Sequence, residues 1–555
     1  MNRFFYNLSF VSALFLFSLS YLLPDHYYPW ITAYQEFLAF SGACLLVLFL
    51  LLRFVSAVAG VHFFLFCSLT LIPLLQLLGG AIYFSGDAWI AAFYLFCFSM
   101  MLLVGYNLGV IGSVRRRFSF SIAVMFVFVG VVSVWMALCQ WLMLTGNAWV
   151  VDVRVGGRPF ANLAQPNNLA TLLCVALAAV FYLYERRFLN AFSSSVLALL
   201  LVFGVVLTQS RTPWVGFLAA VMFLFWKIRG DNFRFPVYGC FVWGGLYLSL
   251  VVLHPFLTDV FLLSGSGLLD RALSLHRLPL WGQLWMSISE GPFLGYGWGQ
   301  VSIAQVSISQ IYPVPLMVEH SHNVLLDLLI WTGPVLGVII IFSVALWLAR
   351  LGVRAHSLES IFCLTAAGFV LVHGMLEFPL EYGFFLFPVG LFLGVVAGEQ
   401  RSTQEWAVPR WLIGGVLVLC VGMFVWVWHE YRVIEEDHRL MRFETARIGQ
   451  VKAREAAPNV VLLTQLREFI RFARTPATEG MSEESLEWMR KVAHRYPYPP
   501  SLFRYALALA LNGKAIQARE QLIILRAMHG DKHFDEGLKA LGQMAAKYPQ
   551  LSDVL

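Results

Sequence analysis

Charged side chains are scarce in this sequence. Only 13% of its 555 residues are Asp, Glu, Lys or Arg, against about 25% in soluble domains. Hydrophobic residues make up 59% of the chain, and the mean hydropathy is +0.73. The apolar residues come in runs of about 20, the length that crosses a bilayer core. Composition therefore excludes an ordinary soluble protein and predicts a polytopic membrane protein. The net charge of +6 is better explained by loop topology than by nucleic-acid binding.

The sequence also lacks the patterns that hold metals, nucleotides or disulfides. Its eight cysteines lie inside apolar runs with no CxxC or Cys/His spacing, and we interpret them as small buried apolar side chains. No HExxH, Walker A or GxGxxG pattern sits in a credible context, because GYGWGQ at 295–300 has no flanking strand and helix. We expect no metal or other cofactor.

Hydropathy predicts an all-α fold with about thirteen transmembrane helices, a count that is uncertain by one or two. The N-terminal run has no small-x-small cleavage site, so we expect it to remain as the first span. The predicted spans are 4–23, 34–52, 60–84, 88–112, 118–145, 162–183, 189–208, 212–228, 235–255, 323–349, 358–376, 382–398 and 411–429.

Basic residues are nearly absent from one of the two alternating sets of loops. The positive-inside rule places the basic set and the N-terminus in the cytoplasm, and an odd number of spans then places the C-terminus outside. Before the C-terminal segment, the outer side keeps only Arg154, Arg158, Arg211, Arg271 and Arg277. Guanidinium groups that oppose the topological bias suit an anion at the outer membrane face. The alternative, solvated loop arginines, is favoured for Arg154 and Arg271.

The composition changes along the chain and predicts four parts. A long outer loop, rich in Gly, Pro and Trp, is predicted to fold over the membrane surface. After residue 430 charges become common, and 501–528 predicts two amphipathic helices joined at Asn512–Gly513–Lys514, as in a tetratricopeptide-like unit. The predicted parts are N-terminal spans 1–150, a core 151–400 with the outer loop 256–322, a last span and its flanks 401–432, and a helical domain 433–555.

Four polar clusters interrupt the apolar background at the predicted outer side. They are 157–173, 208–214, 277–299 and 318–323, the last extended by 373–383. Helix capping would explain any one of them, since Asn, Ser and Thr are common caps. Four such clusters on one side predict a shared polar cavity.

The fourth cluster places an acid, two histidines and an amide directly before an apolar helix. If that helix begins near His322, Glu319 lies about one turn earlier and can accept a hydrogen bond from the imidazole. Such a bond fixes the tautomer and raises basicity, as a general base requires. The alternative is a pair of solvated interfacial histidines, which we favour for His320.

These patterns resemble the O-antigen ligase and polymerase superfamily. The resemblance is carried by His-x-His-Asn opening a span, Ser-Arg closing an earlier span, and Arg-Leu-x-Leu-Trp followed by Pro-x-x-Gly-x-Gly in a large outer loop. RPFANLAQPNNLATLL at 158–173, HGxxExPLxY at 373–382 and the helical tail resemble its bacterial protein O-oligosaccharyltransferase branch, the PglL-type pilin glycosylation ligases. The resemblance covers most of 155–390, whereas 1–150 matches only as apolar spans.

The resemblance implies a metal-independent inner-membrane enzyme whose active site and large loop face the periplasm. Its expected donor is an undecaprenyl-diphosphate-linked oligosaccharide, and its expected acceptor is a Ser or Thr hydroxyl of a protein such as pilin. His322 matches the family's essential histidine, Arg211 and Arg277 match its donor-binding positions, and Gln165 and Tyr382 match positions tied to activity.

Our mechanistic hypothesis adds three residues to those matches. Glu319 orients His322, Arg158 helps the other two arginines neutralise the leaving diphosphate, and Asn168 joins the residues that hold sugar or phosphate. His322 accepts the hydroxyl proton, and the single displacement inverts the anomeric carbon. Two alternatives remain: an O-antigen ligase or polymerase with a glycolipid acceptor, and a flippase for the lipid-linked saccharide.

Overall fold

The computed structural model describes residues 2–144, 146–228, 233–261, 263, 277–402, 404–446 and 457–555. Arg271 and the SGSG turn at 264–267 lie outside the described residues. Two 3-10 helices, Pro379–Glu381 and Pro549–Asp553, accompany the α-helices. In chain order the α-helices are α1 Asn2–Leu22, α2 Ala33–Arg53, α3 Val61–Leu69, α4 Leu71–Leu78, α5 Ser85–Val110, α6 Gly112–Trp141, α7 Pro166–Glu185, α8 Ala191–Leu207, α9 Thr212–Ile228, α10 Val237–Val260, α11 Arg277–Glu290, α12 Val301–Ile308, α13 Val324–Thr332, α14 Pro334–Arg354, α15 Leu358–Gly374, α16 Gly383–Gln400, α17 Arg410–Ala446, α18 Thr464–Arg474, α19 Glu483–Arg495, α20 Pro499–Leu511, α21 Ala515–His529 and α22 Asp531–Ala545.

The helices match the predicted spans. Among the described residues, ten helical segments are long and apolar enough to cross a membrane, one of which, Val61–Leu78, is made of α3 and α4 together. Three shorter apolar helices, α8, α9 and α15, accompany them. Each corresponds to one predicted span, which confirms an all-α polytopic membrane protein. All eight cysteine thiols are free.

Two predicted spans are interrupted, since 60–84 contains α3 and α4 and 323–349 contains α13 and α14. The continuous helix predicted over 323–349 is broken into α13 and α14, and only α14 has the length of a span. Gly333 between them has φ +78 and ψ 166, an extended conformation with positive φ that glycine adopts readily because it has no Cβ. Pro334 begins α14 because proline is tolerated at the first helical position. The short helix α13 therefore lies apart from the span that follows it.

The chain divides into two compact units, each assembled from distant segments. Unit 1 comprises Met1–Ser68, Tyr94–Ser274 and Ala345–Phe424, and unit 2 comprises Leu69–Phe93, Leu275–Val344 and Val425–Leu555. The four-part division predicted from composition follows the chain continuously, and its boundaries stay a prediction.

Glycines allow two helices of unit 1 to pack backbone to backbone. Gly105 and Gly109 of α5 face Gly394 and Gly398 of α16, and a Cβ on any of the four would meet a backbone atom of the other helix at less than 3.0 Å. Both helices thus use the small-xxx-small spacing that brings membrane helices close together.

A two-stranded sheet in unit 1 was not predicted. Strand β1, Ala57–Gly60, pairs antiparallel with β2, Glu405–Val408. Asn107 of α5 supports β1, since its side chain accepts a hydrogen bond from the Val58 N–H and donates one to the Val58 carbonyl, both at 2.9 Å. The pairing joins segments about 350 residues apart, which sequence patterning does not reveal.

The tail of unit 2 is helical, as predicted. Helices α20 and α21 are joined by residues 512–514, and Gly513 has φ +73. Ala506, Ala508 and Ala518 are buried between the tail helices, where small side chains allow close packing. Arg474 of α18 is also buried and binds both Asp437 and Glu444 of α17, at 2.8 and 2.9 Å.

Candidate active site

Buried amides fix the loop that precedes α7 in unit 1. The Asn162 side chain is fully buried and donates to the carbonyls of Leu22, at 2.7 Å, and Trp149, at 2.9 Å. Gln140 donates to the Ala161 carbonyl and accepts from the Ala161 N–H. Ala161 has φ +52, unusual for a residue with a Cβ. The loop is therefore held in one conformation by side chains that need no ligand.

Two of the predicted polar clusters, 157–173 and 208–214, meet around Asn167 together with 373–383, the predicted extension of the fourth. Its Oδ1 accepts hydrogen bonds from Ser210 Oγ at 2.6 Å and from an Arg158 Nη at 3.2 Å. Its Nδ2 donates to Glu377 Oε1 at 2.8 Å. Arg158 Nε also donates to the Thr208 carbonyl at 2.8 Å. The clusters at 157–173, 208–214 and 373–383 thus form one connected network within unit 1.

The other predicted residues of unit 1 lie at the ends of its helices. Arg211 is exposed and directly precedes α9. Gln165 is the residue before α7, and its side chain caps no backbone N–H of that helix. Asn168, in the first turn of α7, is buried and shares a side-chain hydrogen bond with Tyr382, the residue before α16. The structure therefore pairs Asn168 with Tyr382.

In unit 2, the segment 318–323, which we call the His322 loop, precedes α13 as the sequence predicted. Asn323 caps that helix, and its side chain accepts hydrogen bonds from the N–H groups of Leu325, at 3.0 Å, and Leu326, at 3.3 Å. The amide of the fourth cluster therefore serves as a helix cap.

His322 itself has a left-handed backbone, with φ +59. This conformation is uncommon for residues other than glycine and costs free energy unless the surrounding structure enforces it. Strained residues of this kind cluster at functional sites. Among the histidines that the structure describes, the backbone geometry therefore singles out His322.

A buried acid that the sequence analysis missed lies beside His322. Asp327 Oδ1 accepts a hydrogen bond from the Ser321 N–H at 2.9 Å. Burial raises the pKa of Asp327 to about 6, while hydrogen bonds from Ser321 and the charge of His322 act in the opposite direction. The sequence does contain a signal for Asp327, because it is an isolated acid in the apolar stretch VLLDLLIWTG, five residues after His322.

Glu319 has a hydrogen-bond partner other than the one expected. Its carboxylate accepts from the Tyr498 hydroxyl at 2.6 Å, rather than from His322. His320 is half-buried, and desolvation lowers its pKa to about 4, with Glu319 opposing this shift. His320 is therefore neutral near pH 7, and the solvated ring expected for it stays a prediction. The catalytic role of Glu319 stays a prediction.

Arg277 is connected to the His322 loop through α11. It is the first residue of that helix, and Trp281 stands one turn later on the same face. The Trp281 indole N–H donates to the Ser321 carbonyl at 2.8 Å. The clusters at 277–299 and 318–323 thus meet within unit 2. The single cavity predicted for all four clusters stays a prediction.

In the described ranges, no group of three or more His, Cys, Asp and Glu side chains has the arrangement of a metal site. The polar groups described above are instead imidazole, carboxylate, guanidinium and amide groups at helix ends. Such groups suit proton transfer and anion stabilisation.

Comparison with known proteins identifies the class of protein to which the chain belongs. The O-antigen ligase family matches residues 196–342, and the family described as the C-terminal part of a virulence factor membrane-bound polymerase matches 361–540. A general O-oligosaccharyltransferase of Acinetobacter baylyi is 30% identical over 531 residues, 93% of this chain and 91% of that protein. A ComP-specific O-oligosaccharyltransferase of the same organism is 26% identical over 509 residues, 90% and 91%. No solved structure matches the chain.

The chain is thus an oligosaccharyltransferase of the O-antigen ligase superfamily. More narrowly, it belongs to the O-oligosaccharyltransferase family, to which the first relative shows 30% identity over nearly the whole length. It is a multi-pass membrane glycosyltransferase, and the resemblance identified from its motifs is confirmed.

Proposed function

We propose that the chain transfers an oligosaccharide from undecaprenyl diphosphate to Ser or Thr hydroxyls of periplasmic acceptor proteins such as pilin. The observation that carries the proposal is the geometry at His322. Its backbone is strained, and its imidazole interacts with the buried carboxyl of Asp327. The relative named as a general O-oligosaccharyltransferase supports a protein acceptor.

His322 acts as the general base in this proposal. It accepts the hydroxyl proton while the hydroxyl oxygen attacks the anomeric carbon from the face opposite the diphosphate. The new carbon–oxygen bond forms as the bond to phosphate oxygen breaks, so the configuration inverts and the diphosphate leaves as an anion. The carboxylate of Asp327 stabilises the resulting imidazolium by its charge. A positioned base contributes about 100- to 10,000-fold in rate.

Arginines stabilise the charge that develops on the leaving diphosphate. Arg277 and the exposed Arg211 take this role, because guanidinium groups match phosphate oxygens in bidentate fashion. Arg158, which we also predicted to bind the diphosphate, already donates to Thr208 and Asn167. It therefore also supports the turn that carries Arg211.

Neutral groups complete the proposed donor site. Gln165 and the hydrogen-bonded pair of Asn168 and Tyr382 bind sugar or phosphate oxygens. The reaction needs no metal or nucleotide, because the glycosyl diphosphate is already activated. We place the protein in the bacterial inner membrane with this chemistry at the periplasmic face, on the evidence of its loop charges.

The test is transfer by the purified full-length protein, with an undecaprenyl-diphosphate-linked oligosaccharide as donor and a pilin as acceptor. Wild type should add one glycan mass to the pilin, and His322→Ala should reduce the rate about 100-fold or more. His356→Ala, which changes an exposed histidine, is the matched control and should keep normal transfer.

Three results would count against the proposal. Normal transfer by His322→Ala would remove the general-base role. Transfer to lipid A core or to a growing glycan, with none to pilin, would assign the protein to the ligase or polymerase alternative. Saccharide transport across vesicles without any transfer would favour the flippase alternative.

A further inference from the structure

The helical tail contacts the His322 loop directly. Tyr498 lies between α19 and α20, and its hydroxyl donates to Glu319 at 2.6 Å. Burial and the charge of Glu319 raise the pKa of Tyr498, so the hydroxyl keeps its proton and remains a donor. Hydrogen bonds to an ionised acceptor are about twice as strong as neutral ones. The contact is therefore a firm attachment between two segments of unit 2 that are 179 residues apart.

Two more contacts hold the turn that carries Tyr498. The Arg495 guanidinium pairs with Asp87 at 3.0 Å, and both side chains are largely buried. The Arg495 carbonyl accepts a hydrogen bond from Ser302 Oγ at 2.9 Å. Because Asp87 belongs to α5 and Ser302 to α12, the turn is fixed from two directions. Tyr498 therefore presents its hydroxyl to Glu319 from a rigid position.

The His322 loop needs such an attachment at its N-terminal side. On its C-terminal side, Ser321 is bonded to Asp327 and to the Trp281 indole. On its N-terminal side, Glu319 is bonded to Tyr498. His322 lies between these attachments with a strained backbone, which persists only when the surroundings enforce it.

We propose that Tyr498 is a positioning residue of the active site, which holds the His322 loop in its working conformation through Glu319. The helical tail is then part of the catalytic apparatus. This inference rests on the proposed role of His322 and extends it to a residue that acts without touching the substrate.

Tyr498→Phe tests the inference because it removes only the hydroxyl. Tyr496→Phe is the matched control: this neighbouring tyrosine is also buried, and its hydroxyl has no hydrogen-bond partner among the described residues. We expect Tyr498→Phe to lower kcat about tenfold with little change in KM for the lipid-linked donor, and Tyr496→Phe to stay within about twofold. Glu319→Gln keeps an acceptor oxygen and should fall between wild type and Glu319→Ala.

A second readout does not depend on activity. Diethyl pyrocarbonate modifies accessible imidazoles, and mass spectrometry of the loop peptide measures the rate at His320. The half-buried ring should react slowly in wild type and in Tyr496→Phe, and about tenfold faster in Tyr498→Phe, because loss of a charged hydrogen bond favours opening of the loop.

The outcomes separate this inference from the proposed function. Wild-type kcat in Tyr498→Phe would overturn the inference, whether or not His320 reacts faster, because the contact would then be structural only. A slower kcat with unchanged His320 reactivity would also overturn it, since the loop would not have moved. Normal transfer by His322→Ala would instead overturn the function proposed for His322, and the His320 rates would still report on the attachment.

Discussion

The Ser321 backbone N–H donates a hydrogen bond to the Asp327 carboxylate at 2.9 Å, across the turn that contains His322. One buried acid therefore does two things. It fixes the backbone on the C-terminal side of the His322 loop, and its charge interacts with the imidazole of His322. Substitutions that separate these contributions give the first prediction.

Asp327→Asn should lower the transfer rate without unfolding the loop. Asparagine keeps an oxygen that accepts from Ser321, but it cannot stabilise an imidazolium by charge, so we expect a loss of about 10- to 100-fold. Asp327→Ala also leaves the Ser321 N–H unpaired and should lose more. Initial rates of pilin glycosylation measure the effect, and Asp152→Asn, at an exposed acid, is the control. Equal rates for Asp327→Asn and wild type would rule out an electrostatic role.

The raised pKa of Asp327 predicts how both the stability and the transfer rate depend on pH. Burial raises the pKa of Asp327 from its ordinary value of 3.8 to about 6. Between these two pH values, Asp327 therefore keeps its proton in the folded chain but has lost it in the unfolded chain. Stability should therefore fall as the pH rises from about 4 to about 6 and level off above that. Transfer should rise over the same range, because only the ionised carboxylate stabilises the imidazolium.

Asp327→Asn should lack the part of each pH-dependent change that the Asp327 carboxyl contributes. Thermal unfolding midpoints and transfer rates measured between pH 4.5 and 7.5 provide the comparison, and the difference between wild type and variant isolates this group from other titrations. A wild-type rate that is flat from pH 5 to pH 7 would contradict the prediction.

Arg277→Lys should be a poor enzyme although it keeps the positive charge. An ammonium is a point charge and cannot form the two parallel hydrogen bonds of a guanidinium with phosphate oxygens. We expect about tenfold slower transfer for Lys and about 100- to 1,000-fold slower transfer for Ala. Arg154→Lys, which changes an exposed loop arginine, should transfer normally. An Arg277→Lys variant as active as wild type would mean that Arg277 is an ordinary loop residue.

Local patterns predicted most of the fold. Apolar runs of span length gave the membrane helices, and Gly513 in a left-handed turn joins α20 and α21 where the sequence predicted it. The break at Gly333 was missed because glycine followed by proline inside a long apolar run was read as part of one span. The pairing of β1 with β2 depends on contacts between remote segments, and neither strand has a distinctive pattern.

Local sequence patterns also predicted most residues of the candidate site, but not the contacts between them. His322, Arg277 and the polar residues around Asn167 stand out because polar groups are rare in apolar surroundings. Which group each one contacts was not predictable: Glu319 was expected to support His322, but its observed partner is Tyr498. Sequence spacing within a loop cannot reveal a partner from the tail, since that contact depends on how unit 2 folds.

The glycine contact between α5 and α16 provides a prediction about stability. A side chain at Gly105 would meet the Leu391 carbonyl at less than 3.0 Å, and a backbone atom cannot move aside as a flexible side chain can. Gly105→Leu should therefore force the helices apart and cost about 1–3 kcal/mol. We expect its thermal unfolding midpoint in detergent to fall by about 5 °C.

Gly414→Leu is the control for that experiment. Gly414 also lies in a candidate membrane span, α17, but a Cβ added there meets no atom within 4 Å. The same increase in side-chain volume should leave its unfolding midpoint within about 1 °C of wild type. Similar midpoints for the two variants would show that α5 and α16 do not approach closely at these glycines. Because Gly105 is remote in sequence from every predicted site residue, a lower midpoint for Gly105→Leu would test helix packing separately from catalysis.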